Sequence, residues 1–230
     1  VSFFTDVSTE MIYPLLPVFL ASVLGANASF IGAIEGTAET TASLLKLLSG
    51  WWSDKVSSRK PFVVAGYLIA SIVRPFTAAT HTARQVLAIR VTDRIGKGIR
   101  TSARDALLAD SAAPEARGRA FGFHAAADNA GAVVGALDTS KHLLPSDEHA
   151  MRNVFWLSAI PAAIAMVILI VVVRDIPRHD GDGGGGKAGD AAGRLGGRFW
   201  AYLVVVLLFT LGNSTDAFLL LRANQLGVPI

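Results

Sequence analysis

The chain contains no cysteine. That absence excludes disulfides, thiolate metal sites and cysteine nucleophiles, and leaves the redox compartment unreadable. Charge is scarce as well: 17% of the 230 residues are Asp, Glu, Lys or Arg, where soluble domains carry about 25%. The formal charge is +3, but the basic residues are scattered over short loops and form no patch interleaved with aromatics, which argues against nucleic acid as a partner. The five histidines, His81, His124, His142, His149 and His179, lack ligand spacing, so neither a metal nor a cofactor is expected. The glycine run Gly181 to Gly186 before Lys187 follows no strand and lacks the lysine-plus-hydroxyl ending of a phosphate loop. No signal peptide is expected in these residues: the sequence opens on Val1 and is apolar by Phe3, without a basic start or a small-residue cleavage site. It reads as a piece cut at both ends.

What is present is apolar length. The apolar fraction is 52% and the mean hydropathy +0.47, and several runs reach the ~20 residues that a helix needs to cross a ~30 Å hydrocarbon core. Apolar runs and the polar punctuation between them place seven helices near 2–24, 29–51, 61–82, 84–106, 118–138, 153–173 and 199–221. The first, second and fourth carry several charges, so hydropathy alone underrates them. This division puts Lys55, Arg59, Lys60, Arg104, Arg117, Arg119, Arg174, Arg178, Lys187, Arg194 and Arg198 on one side, against Arg84, Lys141 and Arg152 on the other. Cytoplasmic loops hold the Lys/Arg excess, so the N-terminus is expected inside, in the inner (plasma) membrane. The expected domains are a six-helix bundle over 1–174, a flexible cytoplasmic linker over 175–198, and a seventh helix opening a second bundle over 199–230. Ser8-Thr9-Glu10 after Phe4-Thr5 is echoed by Ser214-Thr215-Asp216 after Phe209-Thr210, the first-to-seventh match that a parallel six-helix repeat requires.

Ionisable residues within these spans each need a partner, water or a role, because one at the bilayer centre costs about 2.5–3.5 kcal/mol. Asp6 and Glu10 are four apart on one helical face, as are Glu35 and Glu39. Like charges at that spacing favour keeping one carboxyl protonated unless a cation intervenes. In the fourth span Arg90, Asp93, Arg94, Lys97, Arg100, Thr101, Arg104 and Asp105 fall at steps of three and four, within one polar sector. That face must line a wet cavity or meet acids on neighbouring helices, and Asp6, Glu10, Glu35, Glu39 and Asp128 are the available counterions. Structural ion pairs are the plainer reading of any one of them; an amphipathic surface helix would put the 104–119 loop on the wrong side. Arg74 and Lys46, near span ends, are expected to snorkel. His124 and Asp128, with Asn129 beside them, form a proton-sensitive pair or a polar contact between helices. Gly131 and Gly135 form a small-xxx-small pattern for close helix packing.

These residues match a known pattern. Gly50-Trp51-Trp52-Ser53-Asp54-Lys55, followed by Arg59-Lys60-Pro61, resembles the signature cytoplasmic loop of the major facilitator superfamily, with Ser57 where that family has a second glycine. Pro114 to Ala120 is similar to its equivalent loop between the fourth and fifth spans. Arg90 resembles the embedded fourth-helix arginine of proton-coupled members. Asn129 to Ala136 resembles the glycine-rich fifth-helix motif of antiporters, with Ala136 in place of proline, while Asp138 to His142 departs from an apolar fifth helix. The resemblance implies an all-α polytopic membrane protein: an N-terminal six-helix bundle plus the first helix of a C-terminal bundle whose remainder lies beyond this chain. It implies a cytoplasmic gate of Gly50, Asp54, Lys55, Arg59 and Lys60, latched and released as two halves rock.

The expected function is therefore proton-coupled transport of a small molecule, not enzymology. Asp6, Glu10, Glu35, Glu39 and Asp128 are the proton-titrating candidates. Arg90, Asp93, Arg94, Lys97, His124 and Asn129 are the substrate or charge-relay candidates, joined by Asn213 and Asp216 from the second half. Export of amphipathic molecules is the leading direction, uptake of an anionic metabolite the alternative, and a non-transporting sensor or membrane-embedded enzyme a different class.

Overall fold

Proline placement dictates where the first helix breaks. In a computed structural model, which describes residues 1–53, 55–56, 58–142, 147–173, 196–212 and 216–226, α1 spans Ser2–Glu10. Its hydroxyls bond back to the preceding turn, Thr5 Oγ1 to the Val1 carbonyl at 3.1 Å and Thr9 Oγ1 to the Thr5 carbonyl at 2.8 Å, which lets them sit among apolar neighbours. Pro14 then has no N–H to give the turn before it, and its ring crowds the carbonyl four residues back. The chain adapts through turns: the Ile12 and Tyr13 N–H groups both reach the Thr9 carbonyl, and Leu15 N–H reaches Ile12. The short α2, Leu16–Val18, follows and runs into a π-helical turn at Phe19–Val23. Gly25, at φ +64°, turns the chain out of it. One continuous apolar run in the sequence is thus two short helices and a wide turn.

The remaining elements are helical too, and no strand occurs among the described residues. They are α3 Ala28–Ser53, α4 Lys60–Val73 continued by a 3₁₀ segment Arg74–Ala79, α5 Ala83–Asp110, α6 Arg117–His142, α7 Glu148–Leu157, α8 Ala159–Val171, α9 Gly197–Gly212 and α10 Asp216–Gln225. Asn27 Oδ1 caps α3 by accepting from Phe30 N–H at 2.8 Å. α5 opens on a reciprocal cap: Thr82 Oγ1 accepts from Gln85 N–H at 3.4 Å, and Gln85 Oε1 accepts from Thr82 N–H at 3.1 Å. Thr82→Ala removes one half of it and is expected to cost about 1 kcal/mol, read as a lower unfolding midpoint of the purified protein.

α5 packs between α3 and α4, α1 packs against α6 and α8, and α4 meets α8. α10 packs on α2, and Leu221 joins the apolar cluster of Leu15, Leu16, Phe19, Leu20, Ile31, Ile34, Val86, Met151 and Phe155 at one end of the bundle. A second cluster, Val63, Tyr67, Ala103, Leu107, Met166 and Leu169, closes the other end. Val86 and Leu107 lie near opposite ends of α5, so the charged stretch between them is sandwiched by two apolar layers. The outward faces are apolar, with Leu47, Trp51, Val133, Val167, Val171, Trp200 and Phe209 all exposed. An apolar exterior around a charged interior inverts the soluble arrangement and suits lipid. By length and composition alone, among the described residues, only Lys60–Ala79 (mean hydropathy 1.6) and Glu148–Val171 (2.6) qualify as membrane-crossing helices. α3, α5 and α6 fall below that threshold because of their interior charges.

Candidate functional site

The polar face of α5 meets acids from three directions. Arg90 Nη2 donates to Glu35 Oε1 at 2.8 Å and Oε2 at 2.7 Å, with both side chains 8% exposed. The Arg90 guanidinium also lies 5.2 Å from the Tyr13 ring centroid, a cation–π contact that the turn after α1 supplies. One turn on, Arg94 Nη2 pairs with Glu39 Oε1 at 3.1 Å; Arg94 is buried, whereas the Glu39 side chain is 56% exposed. Asp93 pairs with Arg74 Nε at 2.6 Å, and Arg74 Nη1 donates to the Thr5 carbonyl of α1 at 3.3 Å. Arg74 does not snorkel. It is 6% exposed, because the 3₁₀ segment after α4 turns its side chain inward onto Asp93.

Further along α5, Arg100 is buried and stacked 4.3 Å over the Tyr67 ring centroid. Lys97 is half-buried and makes no ion pair among the described residues. Arg104 pairs with Asp105 at 2.9 Å beside a cleft of about 260 Å³ lined by Val63, Tyr67, Leu107, His124, Leu169 and Val173. On α1, Asp6 and Glu10 are half-buried, and Glu10 lies within electrostatic reach of Arg74, Arg90, Arg94 and Lys97. On α6, His124 Nε2 stands 3.5 Å from Asp128 Oδ2. Asn129 is exposed and its Nδ2 donates to the Ala125 carbonyl at 2.9 Å, so it serves its own helix rather than the charge cluster.

Glycines bring these helices close enough for the charges to meet. A Cβ on Gly131 would overlap the Phe3 carbonyl, and one on Gly135 would lie 2.6 Å from the Val7 carbonyl, so α6 rides on the backbone of α1. Three glycines with the same role escape sequence reasoning. Cβ atoms on Gly66 and Gly96 would lie 2.5 Å and 2.6 Å from each other's carbonyls, and one on Gly98 would lie 2.9 Å from the Ala42 carbonyl. Hydroxyls stitch the same interface: Ser49 Oγ donates to the Gly98 carbonyl at 2.8 Å, and Ser102 Oγ to the Lys46 carbonyl at 2.9 Å. The only available signal was small residues in otherwise bulky helices.

At the end of the bundle where α4 begins, Arg59 pairs with Asp110, the last residue of α5, a partner absent from the sequence reading. Lys60 Nζ reaches the Ile170 carbonyl at 3.5 Å, Lys55 Nζ sits 3.4 Å over the Trp51 ring centroid, and Gly50 lies against Ser102. Asp54 and Asn213 lie outside the described residues, as do the side chain of Asp216 and nearly all of the 175–198 linker. The structure therefore brings Glu35 and Glu39 onto Arg90 and Arg94, sets Glu10 near the same cations and pairs Asp93 with Arg74, while Asp128 is paired with His124 on its own helix and Asn129 stands apart.

A family model described as Major Facilitator Superfamily matches residues 1–229. An uncharacterized MFS-type transporter of Methanocaldococcus jannaschii is 31% identical over 224 residues, covering 97% of this chain and 55% of the relative. An uncharacterized protein of Mycobacterium tuberculosis is 28% identical over 233 residues, 99% of this chain and 56% of its own length. Multidrug resistance protein MdtH of Cronobacter sakazakii is 28% identical over 127 residues, 55% of this chain and 31% of its length. Among solved structures, a bacterial homolog of the human lysosomal transporter Spinster, in an inward-facing and unoccupied conformation, aligns with a TM-score of 0.66 at 16% identity, covering 77% of this chain and 42% of that one. The chain spans about half the length of the curated relatives it matches.

Proposed function

The chain belongs to the Major Facilitator Superfamily, and from that premise we propose that it forms the N-terminal half of a proton-coupled transporter that exports small molecules by alternating access. Its fold is that of an all-α polytopic membrane protein. The observation that carries the reading is the basic face of α5, from Arg90 to Arg104, held against Glu35 and Glu39 of α3 and facing Glu10 of α1. So many charges in a lipid-facing helix bundle are costly unless they are paired or serve a solvated pathway, and Lys97 and Arg100 have no ion pair among the described residues. In this reading Arg90, Asp93, Arg94, Lys97 and His124 relay charge to a midplane site, which Asn213 and Asp216 help to complete from the second half. The N-terminus lies in the cytoplasm, supported by the Lys/Arg bias of the loops. Arg59 and Lys60, with Asp54, latch that side, and the Arg59–Asp110 pair supports a charged tie there. The partial likeness to a multidrug resistance protein favours export.

A second reading, uptake of an anionic metabolite, is favoured by one observation: Lys97 and Arg100 make no ion pair among the described residues, leaving positive charge uncommitted. Full-length protein in proteoliposomes with an imposed pH gradient separates the two. Under export, a lipophilic cationic dye moves against the gradient-linked proton flow; under uptake, a small carboxylate accumulates with protons. If neither probe responds to the gradient, proton coupling is wrong.

A further inference from the structure

The outer face of α4 carries a groove of about 470 Å³, lined by Ser58, Lys60, Pro61, Val64, Ala65 and Leu68. Pro61, Val64, Ala65 and Leu68 follow one another at helical spacing, so they share one side of α4. Together they make an apolar trough about 10 Å long. Lys60 stands at its head, and no acidic residue lines it.

The lysine has donors to spare. Its Nζ reaches the Ile170 carbonyl of α8 at 3.5 Å, the limit of a hydrogen bond, and it makes no ion pair among the described residues. An ammonium carries three N–H donors, so at least two are left for a partner. The other basic residues near this end are engaged, Arg59 with Asp110 and Lys55 over the Trp51 ring.

Aromatic side chains set the depth of the groove's head. Trp51 and Trp52 are 64% and 61% exposed, and the Trp52 ring meets that of Phe62, in the first turn of α4, at 6.2 Å between centroids. Exposed tryptophans beside lysines at a helix end belong at the level of lipid headgroups. From that level the trough descends along α4 to Leu68, with exposed Ile72 continuing the line. The second bundle does not begin on this side. α5 separates α4 from α3, whereas α10 lies on α2 and against α3, its Phe218 ring 3.0 Å from where a Cβ on Gly32 would stand.

We propose that Lys60 and this trough bind one phospholipid with a net negative headgroup, its phosphate on Lys60 Nζ and one acyl chain laid along Pro61, Val64, Ala65 and Leu68. A lysine ammonium binds phosphate as a point charge, and the attraction is strongest where the headgroup keeps its negative charge. The site rests on the membrane setting of the fold and not on proton coupling.

The test is lipid binding to the delipidated full-length protein in detergent, counted by native mass spectrometry with phosphatidylglycerol and phosphatidylcholine as probes. One tightly held phosphatidylglycerol is expected, which phosphatidylcholine does not displace. Lys60→Gln should weaken it about fivefold, the worth of one lysine at an anionic lipid surface. Lys55→Gln removes a charge near the same end but outside the groove, and should leave binding unchanged. Ala65→Trp keeps the charge and fills the trough from an exposed position, and should expel the lipid. Equal weakening by Lys60→Gln and Lys55→Gln means diffuse attraction only and overturns the site. Retention of the lipid by Ala65→Trp, or equal binding of phosphatidylcholine, overturns it too. A nitroxide on Ala65→Cys, with the protein in phosphatidylglycerol vesicles, should be relaxed by oxygen dissolved among the acyl chains. A label shielded from oxygen would place the second half of the protein, not lipid, in the trough and sink the proposal.

Discussion

Replacing Glu35 by glutamine should destabilise the protein by roughly 3–5 kcal/mol, the cost of leaving one partner of a buried ion pair without its counter-charge. Arg90 has no other counter-charge in contact and little solvent: its side chain is 8% exposed and both guanidinium contacts at 2.7–2.8 Å go to the same carboxylate. The Tyr13 ring remains as a weak substitute, about 0.5–2 kcal/mol at best. Arg90→Gln should cost a similar amount, while the double variant E35Q/R90Q should recover most of the loss, because two neutral amides need no counterion. The contrast lies one turn along α5. Glu39→Gln breaks a pair whose acid is 56% exposed, where screening limits the worth to about 0–1 kcal/mol. Unfolding midpoints of the purified full-length variants give the comparison. Equal losses for Glu35→Gln and Glu39→Gln would show that the interior is wetter than its packing implies.

The other large effect is steric. Gly66→Ala or Gly96→Ala puts a methyl group about 2.5 Å from a backbone carbonyl, well inside van der Waals contact, and α5 cannot yield without straining the Ser49 and Ser102 bonds that tie it to α3. Overpacking of this kind costs about 1–3 kcal/mol or more per site, and Gly66→Leu should prevent assembly of α4 on α5. Gly122→Ala supplies the opposite sign. Nothing lies within 4 Å of its added Cβ, and alanine is the better helix former by about 1 kcal/mol, so that variant should be slightly more stable. Destabilisation at Gly122 as large as that at Gly66 would mean that helix propensity, not contact, governs both.

The sequence made the charged helix legible because α5 repeats its polar residues at helical spacing, so a single strand of text carries the whole face. Partner choice was not legible: Glu35 and Glu39 stand on one helix and Arg90 and Arg94 on another, and only the crossing of α3 and α5 decides which carboxylate meets which guanidinium. Arg74 was misplaced for a related reason. Its position beside Pro75 suggests a span end, yet the proline starts a 3₁₀ segment that keeps the chain within the bundle. Gly131 and Gly135 advertise themselves by their spacing within one helix. Gly66 and Gly96 meet across two helices, thirty positions apart in the numbering, and no periodicity connects them. Asp110, the partner of Arg59, falls past the expected span of 84–106 and is the last residue of α5.

The contact between Gly66 and Gly96 has a mechanical side. Where those two glycines cross, α4 and α5 meet backbone to backbone with no side chain to repack, and with α3 seated on Gly98 the three helices make one closely packed layer. α1, α6 and α8 form a second layer, joined to the first through side chains, chief among them the Arg74 bridge from Asp93 to the Thr5 carbonyl. Any shift of α1 against α5 must therefore be absorbed at that bridge, a buried charged tie rather than an apolar contact.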